Sequence, residues 1–264
     1  MKLNHLRSIL SFILALVFVS LACSGTAQAP ASVQNTDTPA PTYTDTATPT
    51  NTPRPSPTPR PTKTPNLAAT QKYEAFNEEA QSYFEKGYLE TADGTTKEIK
   101  DFNYDWAQLG WYNWISLNES VSDFYISAHF KWSSAYRNAD TSGCGILFAV
   151  QDNGDHYAVF LDRSKILFLN ADSATSYSRS VGVTRGTSRV NFDNPADKPV
   201  EADFTVIVKG AYAYVLLDGE LMGEYTLSQS KILRGDIGLS ILSGTNKDYG
   251  TRCEMTNVHL FIPD

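Results

Sequence analysis

Trp106, Trp111, Tyr112 and Trp114 crowd one short stretch of the chain, with Asn and Asp among them. Flat rings stack against the C–H faces of sugars, and neighbouring amide and carboxylate groups supply hydrogen bonds, so the cluster suits carbohydrate binding. Core packing competes for the same residues. Alternation along a strand accommodates both: with Trp111 turned inward, Tyr112 and Trp114 turn outward. Tyr136, Arg137 and Asn138, in a loop before Cys144, border the same groove on this reading. Asp152, Asn153 and Asp155 place three oxygen-bearing side chains in one short loop, and calcium takes roughly six to eight oxygen ligands. An Asx-type turn explains these residues too, and is preferred.

Beyond the N-terminal region the histidines are His129, His156 and His259, far apart in sequence and all in strand-like segments. Each reads as a strand residue rather than a catalytic base, unless two of them converge with Asp155 or Glu254. No metalloprotease motif, phosphate loop or nucleophile elbow is present. No catalytic residue is assigned.

The elements that must position these side chains begin after residue 65. Ahead of them, Lys2 and Arg7 precede an apolar run from Ile9 to Ala22, shorter than the roughly 20 residues that cross a bilayer. Residues 1–22 therefore read as a signal peptide. Ser20-Leu21-Ala22-Cys23 resembles the lipobox of bacterial lipoproteins, with Ser20 where Leu is usual, and implies lipidation at Cys23. Simple secretion after Ala29 is the competing reading, but it would leave Pro30 at the cut. Residues 23–65 are Thr, Pro, Ala and Ser with little apolar to bury, a disordered tether that extends at about 3.1 Å per residue where it is polyproline II. This order of parts predicts anchoring to the extracytoplasmic face of a bacterial membrane.

The formal net charge is −7, and loss of Lys2 and Arg7 with the signal, which carries no acid, takes it to −9. Such a surface argues against nucleic acid as partner. With Cys23 lipidated, Cys144 and Cys253 remain as a pair, and outside the cytoplasm a pair of this kind forms a disulfide. Two buried free thiols are the alternative.

Leu67, Tyr73, Phe76, Ala80, Tyr83 and Phe84 recur at three- and four-residue steps, predicting an amphipathic helix across residues 66–88 that ends at Gly87. From 89 to 264 the pattern turns to alternation. Strands are expected at Phe124–Trp132, Cys144–Val150, His156–Leu161, Lys165–Asn170, Phe204–Val208, Tyr212–Leu217, Leu221–Tyr225, Ile237–Leu242 and Cys253–Phe261, with Asp218-Gly219 as a type I′ hairpin. Many short strands without interleaved helices indicate an all-β antiparallel sandwich.

The succession His156-Tyr157-Ala158-Val159-Phe160-Leu161, the hairpin Tyr214–Leu221, then Gly235-Asp236-Ile237-Gly238-Leu239 and Met255-Thr256-Asn257-Val258-His259-Leu260 resembles the concanavalin A-like, or laminin G-like, jelly roll. More narrowly it is similar to the domain of the 3-keto-disaccharide hydrolase family, over residues 101–263. The resemblance implies a two-sheet jelly roll, allows calcium at a rim loop, and raises a glycan-active enzyme as an alternative. Glu201-Ala202-Asp203 begins the Glu-x-Asp-x-x-Glu pattern of jelly-roll glucanases, but Val206 stands where the last carboxylate belongs. The leading expectation is a lipid-anchored domain that binds carbohydrate or another envelope ligand without turning it over. A structural envelope component that docks through the helix at 67–88 is a further alternative. An aromatic cleft favours binding; facing acids with a histidine favour hydrolysis; a filled face favours the structural role.

Overall fold

The computed structural model describes residues 67–136, 141–175, 177–182, 199–228 and 231–264. Cys23, the signal segment, the tether, Arg137 and Asn138 lie outside them. One helix, α1 (Leu67–Glu85), precedes thirteen strands. In chain order these are β1 (Gly94–Glu98), β2 (Phe102–Trp106), β3 (Trp111–Val121), β4 (Phe124–Ser134), β5 (Gly143–Val150), β6 (His156–Leu161) and β7 (Ile166–Asp172). There follow β8 (Tyr177–Ser180), β9 (Val200–Lys209), β10 (Tyr212–Leu217), β11 (Glu220–Thr226), β12 (Gly235–Ser243) and β13 (Thr251–Pro263).

All strand pairings within the sheets are antiparallel, and they form two sheets. Sheet A runs β1-β13-β4-β9-β10-β11 with β2 also on β13; sheet B runs β3-β12-β5-β6-β7-β8. Strands adjacent in space but distant in sequence, such as β12 beside β3 and β13 beside β4, make this a jelly-roll sandwich. The expected strands lie within β4–β7 and β9–β13, apart from Lys165, which precedes β7. β1, β2, β3 and β8 were not among them. β1 reads Gly-Thr-Thr-Lys-Glu and β3 mixes half-exposed and exposed residues without a regular period, so neither shows a buried stripe.

Between the sheets the alternating residues Phe124, Ile126, Phe130, Phe148, Val159, Phe168, Phe204 and Ile241 form one core. Cys144 of β5 and Cys253 of β13 meet inside it as a disulfide, with Cα atoms 5.5 Å apart, tying sheet B to sheet A. The β10–β11 hairpin turns on Asp218 and Gly219 with φ of 50° and 77°, the doubly positive geometry of a type I′ turn.

The helix covers the outer face of sheet A. Ala80 and Tyr83 pack on Tyr125, Ile207, Leu216 and Phe261, residues that alternate away from the central core. Phe76 stacks on His259 with centroids 4.3 Å apart, and Glu79 Oε2 lies 2.6 Å from His259 Nε2. Gly87, at φ 78°, ends the helix, and the Tyr88 N–H returns to the Tyr83 carbonyl. The apolar stripe of α1 is thus largely occupied by its own domain, which leaves Leu67, Tyr73 and Phe84 exposed.

Candidate functional site

The candidate site lies on the outer face of sheet B. Register places Tyr112 beside Leu242, Trp114 beside Ser240, Ser240 beside Gly145, and Gly145 beside Phe160. Small residues thus line the middle of this face, and large rings stand at its sides. The rings converge over the small residues. The Tyr112 hydroxyl donates to His156 Nε2 at 2.6 Å although β12 and β5 intervene, and its ring lies 5.4 Å from that of Phe160. In a flat sheet strands three places apart are about 14 Å from each other, so side chains that meet across two strands mark a concave face.

Leu147, Ala158, Phe160 and Leu242 are fully or nearly fully buried there, beneath Tyr112, Trp114, Leu167 and Leu169. Trp114 lies over Gly238, where an added Cβ would stand 2.7 Å from the indole. Only glycine lets the ring settle so close to the strand. The centre of the concave face is therefore filled. An open cleft of about 650 Å³ remains at the end where β12 begins, with Trp114 as its aromatic wall and Ser120, Gln151, Asp152, His156, Arg234 and Asp236 around it. A second hollow of about 400 Å³ adjoins it across Gln151, Asp152 and His156.

Gln151 shapes this end. Its Nε2 donates to the carbonyls of Ala149 at 3.1 Å and Arg234 at 2.8 Å, which pins the segment before β12 to the end of β5. His156 is fixed as well. The Gly154 carbonyl, 2.8 Å from Nδ1, can only accept, so Nδ1 carries the proton and Nε2 is left to accept from Tyr112. Burial holds the His156 imidazolium below the usual histidine range, and burial likewise raises the Tyr112 phenol.

His129, on the outer face of sheet A, behaves oppositely. Asp203 at 2.8 Å and Glu201 at 3.2 Å flank its ring nitrogens, and the Asp203 hydrogen bond raises its pKa. In the folded state His156 favours the neutral form, so its contribution to stability is present above about pH 6.5 and is lost as pH falls through its lowered pKa. His129 favours the charged form; its contribution is present below about pH 6.5 and fades as pH rises through its raised pKa. NMR titration of the ring protons should therefore give His156 a midpoint below 6.5 and His129 one above it. The reverse order would contradict both environments.

The aromatic residues singled out in the sequence do not share one groove. Trp114 lines the cleft, and Tyr112 supports it from a half-buried position. Trp111 turns to the other face of β3 and is 63 % exposed, not packed inward as alternation suggested. β3 is an edge strand, and at its first residue there is little core to reach. Tyr136 lies beside Lys247, whose ammonium is 4.2 Å from the ring centroid, close to the strand end where β12 finishes and so opposite to the cleft. The carboxylates Glu201 and Asp203 alternate onto the outer face of sheet A and engage His129, remote from the concave face. The three histidines do not converge.

The loop at Asp152–Asp155 is an Asx turn. Asn153 Oδ1 accepts from the Asp155 N–H at 3.0 Å, and Asp155 Oδ1 accepts from the Ser173 N–H and hydroxyl, both at 2.8 Å. Those bonds hold the Asp155 carboxyl below the usual range. These hydrogen bonds are those of the Asx turn, and among the described residues no group of three His, Cys, Asp or Glu is placed to hold a metal. Gln151, Arg234, Asp236 and Ser120 escaped the sequence reading. Each sits at a strand end, and nothing in its local pattern distinguishes it from an ordinary turn residue.

No family model matches the chain, and no curated protein does. Among solved structures it is similar to the carbohydrate-binding module CBM66 from Bacillus subtilis, at 14 % identity and a TM-score of 0.42 over 63 % of this chain and 95 % of that one. It is similar to Bacillus licheniformis β-glucanase at 10 % identity and a TM-score of 0.40 over 65 % and 93 %. Against the fructosyltransferase from A. japonicus the values are 15 % and 0.42, and the match covers 67 % of this chain and 27 % of that enzyme, about a quarter of its length.

Proposed function

We propose that this chain is a lipid-anchored cell-surface protein, tethered from Cys23 through its Thr/Pro segment, whose jelly-roll domain binds carbohydrate at the concave cleft of sheet B without turning it over. The observation that supports this most is the pairing of an indole wall, Trp114, with hydrogen-bonding side chains of both signs, Asp152, Arg234 and Asp236, in one open cleft. A sugar presents an apolar C–H face and a polar rim, and the cleft offers the complement of each.

A hydrolase reading has one observation in its favour: Asp152, Asp236 and His156 line the same cleft. Against it, both ring nitrogens of His156 are already hydrogen-bonded, which leaves no free lone pair for a base. A glycan array with the full-length protein separates the readings. Retention of one glycan class without release of products is the expected result. Release of soluble products, abolished by Asp236→Asn, would establish turnover instead, and absence of binding to any glycan would remove the proposal.

A further inference from the structure

The cleft does not stop at Asp236. A further hollow of about 420 Å³ runs from the end of β3 toward Glu90 and Pro263, and Ser120 and Arg234 line both this hollow and the first cleft. From Trp114 to Ser120 the strand covers just under ~20 Å at about 3.3 Å per residue, so the two together follow the edge of the sheet over the length of several sugar units. Either hollow alone has the size of a small-ligand pocket, roughly 300–1,000 Å³. Joined, they suit a chain.

Arg234 stands at the junction. Gln151 Nε2 holds its carbonyl at 2.8 Å, so its backbone is placed by the domain, while its exposed guanidinium has no hydrogen-bond or ion-pair partner among the described residues. Of the carboxylates of the second hollow, Glu119 pairs with Lys97 at 2.7 Å, Glu90 pairs with Lys209 at 3.4 Å and Asp123 accepts from the Gly210 N–H, while Asp264 also lines it. A planar fork of donors left unengaged between two hollows matches paired hydroxyls on a sugar ring.

We propose that the ligand is an oligosaccharide or polysaccharide lying along β3 from Trp114 past Arg234, and that Arg234 is the residue that makes affinity depend on chain length. This inference rests on the carbohydrate-binding reading. The ring of one unit stacks on Trp114, and a later unit accepts hydrogen bonds from the Arg234 guanidinium.

The test is calorimetry on the full-length protein and on Arg234→Ala with neutral cello- and malto-oligosaccharides, from disaccharide to hexasaccharide. In the unsubstituted protein affinity should rise about tenfold from the disaccharide to the longer members of the series that binds. In Arg234→Ala the rise should vanish, so that the longer members lose about tenfold more affinity than the disaccharide does. Affinity independent of length, or an equal loss at every length in Arg234→Ala, would overturn the chain-length inference and leave carbohydrate binding standing. No binding by either protein at any length, together with an empty glycan array, would overturn the carbohydrate reading and this inference with it.

Discussion

Replacing Cys144 and Cys253 together by Ala should lower the unfolding free energy by about 4 kcal/mol, seen as a marked fall in the denaturant midpoint. The bond closes a loop with a sequence separation of 109, and loops of that length restrict the unfolded chain strongly in the chain-entropy picture. Its position adds to the effect. Cys144 lies in β5 of sheet B and Cys253 in β13 of sheet A, both fully buried. β13 pairs with β1, β2 and β4, so the cross-link holds one sheet to the strand around which the other is organised. Reductant should move the unsubstituted protein toward the double variant and leave that variant unchanged. Equal midpoints for the two proteins without reductant would show that the bond does not constrain the domain.

The second large effect concerns the cleft. Trp114→Ala should weaken carbohydrate binding by about 10- to 100-fold, the range for a central aromatic anchor, as read by calorimetry with the glycan retained on the array. Removing the indole takes away the stacking surface and exposes Gly238 and its neighbours on the floor. Trp111→Ala provides the contrast, since that ring is 63 % exposed on the opposite face of the same strand and should leave affinity unchanged. Trp114→Phe should restore part of the loss because a smaller ring still offers a stacking surface beside Gly238. Comparable losses in Trp111→Ala and Trp114→Ala, or no loss in the latter, would contradict the placement of the ligand on the concave face.

The class of the fold was readable because its central strands carry it openly. In β4, Phe124, Ile126, Ala128, Phe130 and Trp132 alternate so regularly that they mark the core face, although the second face, expected to be solvated, is buried at Tyr125 and Ser127; β6 and β10 begin and end where the pattern says. Asp218-Gly219 announces its hairpin for a local reason: both residues take positive φ, which few side chains tolerate. Edge strands hide because they bury little. β3 was not expected as a strand, although it carries Trp114, because its outer edge faces solvent and its pattern mixes exposed and half-buried residues on both faces. Tyr136 lies near the end of β12, the end at which Trp111 pairs with Ser243, while the cleft opens where β12 begins, so of this group only Trp114 lines it.

The sequence by itself determined the antiparallel sandwich and the amphipathic helix ahead of it, and favoured a disulfide between Cys144 and Cys253 over two buried thiols. These follow from periodicity, turn chemistry and a cysteine count, all of which act locally or by elimination. The tertiary structure alone decided which aromatic ring lines the cleft. Trp111 and Trp114 differ only by parity until the curvature of sheet B, the absence of a side chain at Gly238 and the Gln151 clamp on Arg234 create a cleft on one side. Those partners come from β3, β5, β6 and β12, brought together by antiparallel pairing between segments far apart in the chain. Contacts of that range have no signature in any single stretch of residues.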